Sequence, residues 1–237
     1  MLVPGSSFRK DANFMTLKLK TIIYGFIFSL FPVTSVLSQQ MLPLEIELPQ
    51  PMFIGTPQDF EVPNLEKPLG KPRPPFMAPE GTTNIALHKY VESTDNQPII
   101  GETELITDGD KEAVDGSFVE FRPGKQHIVI DLEEKHTIYA ICLWHYHQKA
   151  MVYKDVIVQV SDDPDFVVGT TTLFNNDHNN SYGLGVGQDL HYVETHEGKL
   201  IDARGVEGRY VRLCSNGNSF DAVNHYIEVE VYGKPIP

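Results

Sequence analysis

The stretch RYVRLCSNGNSFDAVNHYIEVEVYG, residues Arg209–Gly233, holds two strand-like runs around a polar insert. Tyr210-Val211-Arg212-Leu213-Cys214 is rich in β-formers. Tyr226–Tyr232 alternates apolar and acidic residues. Strand side chains alternate between faces, so Ile227, Val229 and Val231 are expected on one face, and Glu228 and Glu230 on the outer one, with Glu230 solvated. The insert Ser215–His225 is mostly small and polar, which reads as an exposed loop. Two such strands bracketing a loop are the closing elements of an antiparallel β-sandwich.

Working back from this stretch, the same grain recurs. Gln126–Leu132 (QHIVIDL) alternates, Thr137–Tyr146 (TIYAICLWHY) is the most apolar run, and Val152–Ser161 (VYKDVIVQVS) alternates again. His191–Thr195 and Lys199–Asp202 are further short candidates. Turn residues punctuate these runs at Asp108-Gly109-Asp110 and through Ser161–Phe166. No long stretch has a helical period. Many short strands with turns between them predict an all-β fold, an antiparallel sandwich of jelly-roll type, over residues 84–234.

Two segments precede it. Lys18 and Lys20 stand before an apolar run from Thr21 to Leu37, with Ser38 after it. A basic start, an apolar middle and small residues at a cut site predict a signal peptide over residues 1–38, hence export to a periplasmic or extracellular space, with no stable membrane span after cleavage. Residues 39–83 are proline-rich and lack any strand or helix period, which predicts an extended arm or linker. Leu44, Ile46, Phe53, Phe60 and Phe76 are more apolar than a spacer needs, which suggests that parts of the arm lie along the domain. The formal charge of −13 excludes a basic nucleic-acid footprint. Cys142 and Cys214 both fall in strand-like runs, so they either pair or stay as small buried hydrophobes.

The order NIAL…ITDGD…HIVIDLEEKHTIYAICLW…VIVQVSDDPDF…GRYVRL…HYIEVEVYG resembles the discoidin (coagulation-factor type C) or galactose-binding-like family, across about residues 83–234. It is also similar to discoidin-like proteins exported by planctomycete-type bacteria. The resemblance implies a five-plus-three-stranded sandwich, usually non-catalytic, that binds glycans, lipids or proteins through loops at one end. It further implies a structural Ca²⁺. Asp108 and Glu228 would give side-chain oxygens, and Ile106, Asp110 and Ile227 main-chain oxygens. Ser117 stands where the family often has Thr or Ser, with Asp115 as its substitute because the spacing departs from the family's. Carboxylates together with carbonyls suit the hard cation.

Three further groups could meet a ligand. His145-Tyr146-His147 places two imidazoles on one side of a strand. They are expected as polar strand-end residues, as glycan contacts, or as a Zn²⁺ pair completed by His178, His191, His196 or His225. Asn175-Asn176-Asp177-His178 opens a long polar segment whose amides suit sugar hydroxyls, unless it is simply a surface loop. Asn216 and Asn218, with Arg212 and His225 beside them, lie where the resemblance places a ligand loop. No GxSxG, HExxH or placed Cys–His pair suggests an enzyme. The sequence therefore predicts a non-catalytic exported module that binds a glycan or cell-envelope polysaccharide. The alternative is a protein-interaction or adhesion module docking onto an envelope protein, and the remote one is a His-based metalloenzyme.

Overall fold

The computed structural model describes residues 39–53 and 60–236. The expected signal peptide lies outside the described residues. The strands are β1 Met41–Pro43, β2 Met77–Pro79, β3 Thr83–Asn84, β4 Val91–Ser93, β5 Val119–Phe121, β6 Gln126–Trp144, β7 Val152–Tyr153, β8 Ile157–Ser161, β9 Thr171–Asn175, β10 Tyr192–Val193, β11 Lys199–Ser215, β12 Asn224–Tyr226 and β13 Glu228–Pro235. A short 3₁₀ turn, Thr103–Thr107, leads into Asp108. All named strand pairs are antiparallel.

Two long strands organise the fold. The runs Gln126–Leu132 and Thr137–Trp144 are one continuous strand, β6, because Glu133 takes a left-handed φ of 69° and bends the chain without ending the ladder. β11 does the same at Arg204 and Gly205, which joins Lys199–Asp202 to Arg209–Ser215. The two bent strands pair along their length, from Lys199↔Leu143 to Ser215↔Gln126, with register shifts at the bends. The first half of β6 also pairs with β4, and the second half with β13. The C-terminal half of β11 pairs with β8, which carries β9. The strands thus form the path β3-β13-β6-β11-β8-β9 with β4 beside β6, folded into two facing layers. The antiparallel sandwich is as expected. One layer holds β4, the first half of β6, the C-terminal half of β11, β8 and β9, and the other holds β13 and the remaining halves of β6 and β11, with the two-residue β3 at its edge.

The main core fills the space between the layers. Ile128, Ile130 and Leu132 meet Ile138, Ile141, Leu143, Val158, Val160, Val211, Leu213, Val229 and Val231 there. A second, smaller core lies on the other face of the β6–β13 layer. Ala140, Cys142, Trp144, Ile227 and Tyr232 are buried in it, and Leu44, Ile46 and Phe76 of the proline-rich arm cover them. The arm is held there by the β1–β2 pairing and by the Leu44 N–H donating to the Phe76 carbonyl at 2.7 Å. Farther along, the Arg73 N–H donates to the Glu197 carboxylate at 3.1 Å, and Lys199 Nζ pairs with Glu66 at 2.7 Å. The described residues of the arm, from Gln39 onward, belong to the same compact unit as the sandwich.

This cover changes the reading of the last strand. Glu228 and Glu230 do face outward, but the outer face is buried, and they are 0% and 5% exposed. Glu230 is not solvated: it pairs with Lys111 at 2.8 Å and accepts from the Tyr232 hydroxyl at 2.6 Å. Ile227 leaves the Val229–Val231 row at the break between β12 and β13 and joins the second core. Cys142 and Cys214 are both buried and unpaired.

Candidate functional site

The early loop and the last strand meet as the resemblance implied. The Gly109 N–H donates to Glu228 Oε2 at 3.2 Å, across 119 residues of chain. Asp108 Oδ1 accepts the Asp110 N–H at 2.8 Å, and Asp110 Oδ2 accepts the Ser117 hydroxyl at 2.7 Å. Glu228 Oε1 is buried with no hydrogen-bond partner. Burial pushes the Glu228 carboxyl up to about 9, against the pull of the Gly109 hydrogen bond, with the charges of Glu230 and Asp108 adding to the rise. Lys111 neutralises Glu230. Ile106 is fully buried at the end of the 3₁₀ turn, whereas Asp115 is exposed and its charge acts on Tyr146. Among the described residues, no group of three or more His, Cys, Asp or Glu side chains is placed to hold a metal ion.

His145 and His147 do not face a ligand. Both are 0% exposed. His145 lies in a sealed polar cluster: its N–H and Nδ1 reach Glu194 Oε2 at 3.1 and 3.2 Å, and the Tyr192 hydroxyl is 3.1 Å from Nδ1. Its ring stacks on Tyr153 at 4.2 Å. Burial holds its pKa below the ordinary imidazole range, with the Glu194 hydrogen bond and charge opposing. His147 Nε2 donates to the Lys111 carbonyl at 2.9 Å. Gln148 donates to the Ala113 carbonyl, so the two side chains staple the Lys111–Ser117 loop to the end of β6. Tyr146 is half-buried between Phe118 and His225, with its hydroxyl donating to Gln148 Oε1 at 2.8 Å. His225 is itself taken by Glu120 at 2.9 Å.

The Asn175–His178 segment is likewise turned inward, a second correction. Asn175, Asn176 and Asp177 are buried, and their side chains bond the backbone of the loop and, for Asn176, of Tyr153 and Val156. Asn176 Oδ1 accepts the Val156 N–H at 2.8 Å, and Asp177 accepts the Ser181 and Tyr182 N–H groups at 2.9 and 2.7 Å. Asn175 Nδ2 donates to the Gly185 carbonyl at 3.1 Å. His178 is bound at both ring nitrogens, by the Asn64 amide of the arm at 2.8 Å and the Asp189 carbonyl at 2.7 Å. These amides build a rigid loop and leave few groups for a sugar.

The Ser215–His225 loop presents one large aromatic side chain outward. Asn218 is buried, with its Oδ1 accepting the Phe220 and Asp221 N–H groups at 2.8 and 3.1 Å. Ser219 exchanges two 2.9 Å hydrogen bonds with Val152. This fixed turn holds Phe220 out at 67% exposure, with Lys149 Nζ 4.9 Å from its ring. Half-buried Asn216 is engaged elsewhere, donating to Asp155 at 3.1 Å. Sequence reasoning missed Phe220 and Lys149. The available signal was one large aromatic in an otherwise small, polar insert. Arg212 is not part of this loop surface. It stands on the outer face of the other layer, with Val129 and Gln159 as its cross-strand neighbours.

No family model matches the chain, and no curated protein matches it. Solved structures do. A fucose-binding module of Streptococcus pneumoniae is 18% identical over 63% of this chain and 97% of that one, with a TM-score of 0.44. A Clostridium perfringens module solved in complex with GlcNAc-α-1,4-galactose is 19% identical over 65% and 96%, at 0.48. Chitosan-binding module 1 of a chitosanase/glucanase from Paenibacillus sp. IK-5 is 18% identical over 64% and 99%, at 0.42. These are likenesses of chain path, and no residue role is carried over from them.

Proposed function

We propose that this chain is an exported, non-catalytic carbohydrate-binding module of discoidin-like build, stabilised by a structural Ca²⁺. The observation that carries the reading is Phe220. An exposed aromatic ring held by a hydrogen-bonded turn offers a flat apolar platform at no ordering cost, and an aromatic face stacks on the C–H face of a sugar ring. Lys149 beside it would supply a donor to sugar hydroxyls. The arm speaks less for a partner protein, since Leu44, Ile46 and Phe76 are already covered by the chain's own sheet.

Calcium fits the residues present. Its coordination would take Asp108 and Glu228 side-chain oxygens and the carbonyls of Ile106, Asp110 and Ile227. The unpartnered Glu228 Oε1 is the feature that a cation would satisfy. The ion would tie the Asp108 loop to β13 and supply no chemistry. A glycan array on wild type and Phe220→Ala tests the main reading. Binding that is lost in Phe220→Ala, with an unchanged melting point, is expected. Binding that survives the substitution removes the loop surface as the site, and no binding to any glycan overturns the reading.

A further inference from the structure

The outer face of the β4–β6–β11–β8 layer carries a groove of about 300 Å³, lined by Glu92, His127, Val129, Asp165, Phe166 and Arg212 among others. Its floor is a row of facing residues: Glu92 opposes Val129, Val129 opposes Arg212, and Arg212 opposes Gln159. Neighbouring strands are about 4.8 Å apart, so the row spans roughly 14 Å. One wall is the turn after β8, whose shape is set by Asp163. The carboxylate of Asp163 accepts the N–H groups of Asp165, Val167 and Val168 at 3.1, 2.9 and 3.0 Å.

Arg212 is fixed in advance. Its Nε and Nη2 both donate to Gln159 Oε1, at 3.0 and 2.5 Å, and Gln159 Nε2 donates on to Thr172 at 3.0 Å. The guanidinium lies 4.2 Å from the centre of the Phe166 ring. These contacts leave Nη1 without a protein partner among the described residues. The same holds for the exposed Glu92 carboxylate and for both ring nitrogens of His127, which engages Thr94 through its backbone only. A rigid donor, a free acceptor and an imidazole able to play either part therefore face one depression, with Val129 and the Phe166 edge as apolar margins.

We propose that this groove is a second ligand site that takes one neutral sugar ring. Hydroxyls both donate and accept, so a polyol matches an array that mixes a guanidinium with a carboxylate. An acidic sugar does not match, because Glu92 and Asp165 would face its carboxylate. The volume sits at the small end of ligand sites, which suits a monosaccharide unit and not an extended chain. The site does not rest on the Phe220 surface, and either can fail without the other.

The test is a titration of the full chain with galactose and with N-acetylglucosamine, followed by amide NMR shifts, with galacturonate as the acidic comparison. Saturable shifts at Glu92–Thr94, Val129 and Arg212 are expected with at least one neutral sugar. Arg212→Gln is expected to weaken them about tenfold, equivalent to about 1.4 kcal/mol. Glu92→Ala, an exposed change that leaves the fold intact, should weaken them as well, and Phe220→Ala should leave them in place. The proposal is overturned by shifts absent there up to roughly 50 mM of either sugar, a range that covers very weak binding. It is equally overturned by shifts that persist in both Arg212→Gln and Glu92→Ala, by tighter binding of galacturonate than of galactose, or by loss of the shifts in Phe220→Ala.

Discussion

Trp144 is the single tryptophan of the chain, and it is fully buried beneath the proline-rich arm. Its indole N–H donates to the His196 carbonyl at 2.9 Å. Fluorescence therefore reports on the arm directly. Replacing Leu44, Ile46 and Phe76 together by Ala removes the apolar cover. Each of the three is half-buried, so each loses about 1–1.5 kcal/mol of the 1.5–3 that full burial gives. The sum is about 4 kcal/mol, a large part of the 5–15 kcal/mol of an ordinary domain. With a urea slope of about 2 kcal/mol/M, the midpoint should fall by about 2 M. Emission should move to the red as water reaches the indole. Leu69→Ala is the control, because Leu69 is 60% exposed and should change neither quantity. If the triple variant keeps wild-type emission and a midpoint within about 0.3 M of wild type, the arm is a spacer and not a layer of the fold.

Other outcomes follow from single positions. Calcium should raise the melting point of wild type and chelator should lower it, whereas Glu228→Gln should abolish the response; an equal calcium shift in the variant would move the ion elsewhere. Gly198 has a φ of 66°, and a Cβ there would lie 2.6 Å from the Trp144 ring, so Gly198→Ala should destabilise by about 1–3 kcal/mol and disturb Trp144 emission. His127, His145, His191 and His196 all have pKa values lowered, burial being the first cause in each. The unfolded chain then binds more protons near neutrality, so their contribution is present above the ordinary imidazole value of about 6.5 and is lost as pH falls below it. Glu228, raised by burial to about 9, works the other way in metal-free protein, so the experiment belongs in Glu228→Gln. There the urea midpoint should drop between about pH 7.5 and 5.5, and a rise would contradict the assigned burial.

The fold was legible because its strongest signals are local. Alternation in Gln126–Leu132 and around Val229–Val231 reports a core face directly, and those residues do line the main core. Continuity was less visible. Glu133, Glu134 and Lys135 are exposed and polar, which looks like a turn, yet the chain only bends there. Burial of the outer face was invisible from the last strand alone. Alternation gives the direction of Glu228 and Glu230 but says nothing of what lies over them, and the covering residues are far upstream in a proline-rich segment without periodicity. The same blindness applies to Asn176 and Asp177. An amide or carboxylate in a polar loop looks available, but here each one satisfies neighbouring backbone N–H groups, and the loop's rigidity is the result. Phe220 was overlooked for the opposite reason: an isolated aromatic belongs to no pattern.

The pairing of β6 with β11 sets how quickly this chain can reach its native state. Most residues of Gln126–Leu143 find their partners in Lys199–Ser215, with β7 to β10 lying between them in the sequence. That ladder cannot zip from a hairpin turn. It has to wait for the whole intervening segment to collapse, and loop closure is costly before the contacts reward it. Refolding in milliseconds to seconds is the scale for such topology. During that interval both bent strands have open edges, so concentrated refolding should favour association through them, and slow dilution at low protein concentration is the condition that lets β11 find β6 within its own chain.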